Sequence, residues 1–171
     1  MGLFSTCRPS EQTKDQFVQT FGGVYEHSPW VAEQAYGDGL DQAFNDQDVL
    51  HARMAHVLNS ADEASKMQVI LAHPDLAGRA AQAGELTAES TTEQASAGID
   101  QCSTEEFVRF TDFNQRYKDK FQFPFIMAVK GANRHLILDA FERRLENDVI
   151  TEFNTAIEEI NNIALFRLRD L

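Results

Sequence analysis

The stretch from Asn133 to Leu171, NRHLILDAFERRLENDVITEFNTAIEEINNIALFRLRDL, decides the fold class. Leu136, Ile137, Ala140, Phe141 and Leu145 recur at helical intervals in its first part. Val149, Phe153, Ile157, Ile160, Ile163 and Leu168 do so in its second. Spacings of mostly three and four residues line up apolar groups along one face of a 3.6-residue helix, where a strand would need strict alternation. The same period continues upstream. Val49, Leu50, Met54, Val57 and Leu58 predict a helix over 46–58, and Phe107, Phe110, Phe113 and Tyr117 predict another whose phenylalanines belong to the core.

The boundaries come from caps and breakers. Ser10 precedes a helical stretch to about Thr20 that Gly22 and Gly23 end, and Ser28-Pro29 opens a short helix closed by Gly37-Asp38-Gly39. Three Ser-x-x-Glu patterns, Ser60 to Glu63, Ser90 to Glu93 and Ser103 to Glu106, read as capping boxes. The helix carrying Met67, Ile70 and Leu71 must end near His73-Pro74, because the residue before a proline disfavours helical angles. Phe121 to Met127, marked by Pro124, reads as a buried extended connection. The expectation is an all-α fold, one domain over residues 1–171 with roughly seven to nine helices.

Composition removes several function classes. Against 27 Asp and Glu stand 15 Lys and Arg, a net charge of −12, which opposes any role built on neutralising nucleic-acid phosphates or anionic lipid. No apolar run approaches the ~20 residues of a membrane span. Cys7 and Cys102 form no CxxC pair, so neither a zinc knuckle nor a redox motif is expected, and a reducing cytoplasmic setting suits them. No targeting signal stands out at either end. His51 and His56 are five residues apart, which turns them away from one another on a helix, so no metal site is expected. Val129 to Arg134 holds a single glycine, unlike a phosphate-binding loop.

What chemistry is left centres on a few side chains. His73 can exchange a proton near neutral pH, and a helix end facing a cleft leaves an imidazole reachable, although a lone histidine is more often a surface or capping residue than a catalyst. Ser90 and Glu93 satisfy a capping box, while a helix amino terminus with Gln94 beside it also suits an anionic ligand. Arg167, among Ile163, Ala164, Leu165 and Leu168, either grips a carboxylate bidentately or reaches to solvent along its stem.

Three separated motifs then agree in order and spacing: His73-Pro74-Asp75-Leu76-Ala77-Gly78, Thr87 to Gly98 (TAESTTEQASAG), and Phe123 to Gly131 (FPFIMAVKG). Together with Ile163 to Leu168 they resemble the OHCU decarboxylases, which convert 2-oxo-4-hydroxy-4-carboxy-5-ureidoimidazoline to (S)-allantoin in urate breakdown. The resemblance implies an all-α homodimer in which His73 is the catalytic acid and Glu93 works beside it. It places Pro74, Ser90, Thr91, Thr92 and Gln94 at substrate-contacting positions, together with Met127, Ala128, Val129, Lys130 and Gly131. Met127 acts there through its backbone. Phe125 stands against the substrate ring and Arg167 on a carboxylate, with Arg169 close enough to exchange roles with it. Only the decarboxylase step is implied, without the β-rich hydrolase to which some members are fused.

No cofactor is expected. Loss of carbon dioxide needs a place for an electron pair, usually supplied by pyridoxal phosphate, thiamine or a metal. The substrate implied by the resemblance carries its carboxylate next to a ring C=N bond that can take those electrons itself. Two alternatives stand beside this reading: an all-α module that binds a partner helix in an apolar groove, and the same pocket retuned to a different ureido or imidazoline acid.

Overall fold

A computed structural model of the chain describes residues 2–37, 39–78, 81 and 83–171. Asp38, part of the expected stop at Gly37-Asp38-Gly39, lies outside them. Among the described residues, eight α-helices have defined bounds: α1 (Lys14–Phe21), α2 (Trp30–Tyr36), α3 (Gln47–Ser60), α4 (Glu63–Leu71), α5 (Ala88–Ser96), α6 (Thr104–Phe121), α7 (Arg134–Arg144) and α8 (Val149–Arg169). Short 3-10 turns lie at Pro9–Glu11, Gln42–Asn45 and Ile99–Gln101, and among the described residues there is no strand. The all-α expectation holds.

Several starts differ from those expected. Helix α1 begins after Thr13, whose side chain forms a full capping box with Gln16, and Ser10 falls in the preceding 3-10 turn. Ser60 closes α3 rather than opening α4, whose cap is Asp62 accepting from the Ser65 amide. The Ser28 hydroxyl donates to the Glu26 carbonyl, leaving Pro29 at the α2 N-cap. Thr87, not Ser90, caps α5. Ser103 opens α6 with the capping box that its sequence promises.

Two compact units are present, Met1–Ala72 with Asn161–Leu171, and His73–Ile160. The first has a core of Phe17, Phe21, Val31, Leu50, Met54 and Leu58, none more than 1% exposed. Within it the Tyr25 hydroxyl donates to Asn161 Oδ1 at 2.8 Å, and burial pushes that phenol well above its usual range. His51 Nε2 lies 2.8 Å from the Asn161 carbonyl.

The second unit is built around the aromatic face of α6. Phe110, Phe113 and Tyr117 are buried, whereas Phe107, expected in the core, is only half-buried. Phe113 stacks on Phe141 at 5.5 Å, and Tyr117 meets Phe125 edge-on at 5.3 Å. Such pairs add roughly 0.5–1.5 kcal/mol each to the burial of their rings. The connection after α6 is extended and buried, as Pro124 demanded, with Phe123, Phe125 and Ile126 no more than 3% exposed. It ends in a turn closed by the Ala132 amide on the Val129 carbonyl. Gly131 occupies the third position at φ +82°, a left-handed angle that favours glycine although the space around it is open.

Candidate active site

The His73 loop follows α4, and His73 itself is 8% exposed. Its turn is tight: an added Cβ at Gly78 would sit 2.6 Å from the Asp75 Cβ, and Ala77 is held at φ +53°. A left-handed alanine is uncommon, and its conformation persists because surrounding bonds fix it. Gln94 supplies two of those bonds, accepting from the Ala77 amide at 3.1 Å and donating to the Asp75 carbonyl at 3.4 Å. Asn114 Nδ2 donates to the Leu76 carbonyl at 2.8 Å, and Lys118 Nζ pairs with Asp75 Oδ2 at 2.6 Å. Three successive residues of the loop, Asp75 to Ala77, are thereby engaged from α5 and α6.

Helix α5 turns one stripe inward. Ser90, Gln94 and Ala97 are at most 5% exposed and Glu93 is half-buried, positions related by the i, i+3, i+4, i+7 spacing of a single face. Thr91 and Thr92 are exposed, and their hydroxyls donate back to the Thr87 and Ala88 carbonyls at 2.9 Å each. With Thr87 as the cap, the Ser90 amide donates to its Oγ1 at 3.3 Å, so the anion-binding amides expected at Ser90 belong one turn earlier. What Ser90 brings to the site is its buried side chain.

Met127 and Ala128 are half-buried, Val129 is buried, and Lys130 and Gly131 are exposed at the turn. Phe125 faces inward at 1% exposure, with Phe141 stacked at 3.8 Å and the Arg144 guanidinium 4.2 Å from its centroid. Two groups that close to one ring centre cannot share a face, so both faces of the Phe125 ring are occupied. Arg144 in turn donates Nη1–H to the Ile126 carbonyl at 2.6 Å and Nε–H to Glu152 at 2.9 Å. Glu152, fully buried, also accepts from Asn147 Nδ2 at 2.8 Å and from the Tyr117 hydroxyl. Burial first, and the Glu152 hydrogen bond second, raise the Tyr117 pKa far above the phenol range, so it stays a donor.

Helix α6 joins these parts. Its Asn114, Tyr117 and Lys118, one i, i+3, i+4 stripe, touch Leu76, Phe125 and Asp75 respectively. One helix face therefore gathers the histidine loop and the Phe125–Gly131 segment, and Gln94 ties α5 to the same loop. Every residue expected at the site except Arg167 lies in this unit.

Arg167 belongs to the first unit. It is 7% exposed, its Nη1 is 2.8 Å from Glu26 Oε2, and the same nitrogen donates to the Val24 carbonyl at 3.4 Å. Arg169 is at the surface, bonded to Asp48 Oδ1 at 2.9 Å, where it holds that carboxyl below its ordinary range. The two arginines are thus physically different: one buried and aimed, the other solvated.

Asn114, Arg144, Glu152, Glu159 and Glu26 were not foreseen from sequence. A signal existed for one of them, since Glu152 interrupts the apolar stripe of α8 beside Phe153 and Ala156, and a carboxylate on such a stripe needs a buried partner. Among the described residues, no three His, Cys, Asp or Glu side chains gather in a group able to hold a metal ion. No helix among them is long and apolar enough to cross a membrane.

Comparison with known proteins places the chain in a family. The sequence model of the OHCU decarboxylase family matches residues 10–169. The 2-oxo-4-hydroxy-4-carboxy-5-ureidoimidazoline decarboxylase of Haloferax volcanii is 41% identical over 156 residues, covering 91% of this chain and 89% of that one. The uric acid degradation bifunctional protein of Bacillus subtilis is 36% identical over 169 residues, which is 99% of this chain and 33% of the larger protein. Among solved structures, (S)-allantoin synthase superposes with a TM-score of 0.71 at 28% identity, covering 92% of this chain and 50% of that one. Because the family model runs through both compact units and a relative of nearly equal length shares two residues in five, the chain belongs to the OHCU decarboxylase family.

Proposed function

We propose that this protein removes carbon dioxide from 2-oxo-4-hydroxy-4-carboxy-5-ureidoimidazoline and forms (S)-allantoin, a step of urate degradation. The observation that carries the reading is the bracing of the loop after His73 by Gln94 and Asn114, which ties the backbone of that loop to α5 and α6. The C–C bond to the carboxylate breaks, its electron pair forms a ring C=C, and the electrons of the adjacent C=N go to the ring nitrogen, which takes up a proton, leaving an enol. The enol hydroxyl then becomes the carbonyl of the product as a proton is added to the neighbouring carbon. The protein's tasks are to orient, to exclude water and to place that proton, and no cofactor is required for them.

His73 delivers the proton, and Glu93, one of the stripe residues, governs the state of the imidazole. Ser90, Gln94 and the backbone from Thr91 to Thr92 line the substrate, with Pro74 shaping the approach to His73. The polar backbone of Met127 to Gly131 meets the ring and ureido amides. Phe125 supports that segment from behind, because its ring faces are already covered. Arg167 supplies the guanidinium for the substrate's carboxylate, a role that suits a buried arginine better than the solvated Arg169. A net charge of −12 gives no long-range attraction for an anion, so binding rests on such local groups.

The chain acts as one decarboxylase domain, as a homodimer and in the cytoplasm; the family resemblance supports the first two, and sedimentation checks the dimer. Arg167→Lys keeps the charge and loses the planar fork, so the apparent substrate affinity is expected to fall by roughly 10-fold or more with the fold intact. Unchanged KM in that variant would remove the carboxylate role. Carbon dioxide release on adding freshly prepared substrate tests the activity itself. The partner-helix alternative predicts none.

A further inference from the structure

The peptide groups on either side of Met127 are anchored from one direction. The Ile126 carbonyl accepts from Arg144, and the Ala128 amide donates to Glu159 Oε2 at 2.6 Å. Arg144 is itself held by Glu152. Glu152 and Glu159 are seven residues apart on α8, which sets them on one helix face about 10 Å apart along the axis. Two carboxylates of a single helix thus grip consecutive peptide units, one directly and one through a guanidinium.

The consequence follows from peptide geometry. No cis peptide occurs among the described residues, and a trans peptide points its C=O and N–H in opposite directions. With the Ile126 carbonyl turned to Arg144 and the Ala128 amide turned to Glu159, the Met127 N–H and the Met127 carbonyl are both turned the other way. They form one donor and one acceptor side by side, the complement of an amide or ureido edge. The Ala128 N–H, by contrast, is already used.

We infer that Glu159 is a positioning residue: by holding the Ala128 amide it aims the Met127 donor–acceptor pair at the substrate's amide edge, without touching the substrate. This rests on the decarboxylase reading. It is half-buried, so its replacement leaves the core intact. Glu159→Ala is expected to raise KM roughly 10-fold with kcat within about 2-fold, since an amide edge bound alike in ground and transition states affects binding more than chemistry. Glu159→Gln keeps a carbonyl acceptor for the Ala128 amide and should return KM to within about 3-fold of the unmodified value. Hydrogen exchange gives a readout independent of turnover: the Ala128 amide should be protected in the unmodified protein and in Glu159→Gln, and exchange at least 10-fold faster in Glu159→Ala. Wild-type KM in Glu159→Ala would overturn the inference, as would an equal loss in both variants or an Ala128 amide that exchanges freely in the unmodified protein. Absence of turnover in the unmodified protein would overturn the decarboxylase reading and this role with it, a result distinct from turnover with unchanged KM.

Discussion

His73→Asn is expected to lower turnover by about 10²-fold or more while the helical circular dichroism and the thermal midpoint stay close to those of the unmodified protein. Asparagine occupies similar space after α4 and retains a hydrogen-bonding head, so the braced turn survives. The backbone partners of that turn, Gln94 to Ala77 and Asp75 and Asn114 to Leu76, do not involve the imidazole. The substitution removes a group able to carry a proton near neutral pH. Steady-state rates read the effect, and turnover within about 3-fold of wild type would show that the proton reaches the product from elsewhere.

Glu152→Ala is expected to have the largest effect on stability. The carboxylate is fully buried and receives Arg144, Asn147 and the Tyr117 hydroxyl, so its loss strands a guanidinium whose side chain is 12% exposed. Breaking such a pair from one side costs about 3–5 kcal/mol, which for a chain of this length lowers the melting temperature by roughly 6–20 °C. A second substitution, Arg144→Met, removes the stranded charge and should return part of the loss, because replacing both members of a buried pair by apolar groups is far milder than breaking it. A thermal melt of the two variants decides the matter. If the single variant melts within 2 °C of the unmodified protein, the network is not what holds the second unit's core together.

The helices were legible because their apolar period is strong, as at Leu50, Met54 and Leu58, which are all fully buried in α3. Their first residues were less so. Thr13 competes with Ser10, Asp62 with Ser60 and Thr87 with Ser90, and each pair offers a usable cap within two or three residues. Local chemistry does not choose between them; packing does, and in α5 the choice of Thr87 carries Ser90 inside a regular helix whose inner stripe includes Gln94 and Ala97.

At the site, His73 could be found from sequence because Pro74 fixes where its helix stops. The supports could not. Gln94 reads as a polar residue near a helix start, and only the fold reveals that both ends of its amide brace a turn 17 to 19 residues away. Glu159 binds a backbone amide 31 residues distant, a pairing that no local pattern encodes. Phe125 shows the converse: its motif is visible, yet the stacking of Phe141 and Arg144 on its ring follows from tertiary packing alone.

Protonation after loss of carbon dioxide creates a stereocentre from a planar carbon, and water delivers to both faces alike. The optical activity of allantoin formed from freshly prepared substrate is therefore the most direct measurement. A fixed His73 predicts rapid appearance of the (S) enantiomer's circular dichroism, abolished in His73→Asn. Racemic allantoin, forming no faster than in buffer, would contradict the decarboxylase reading.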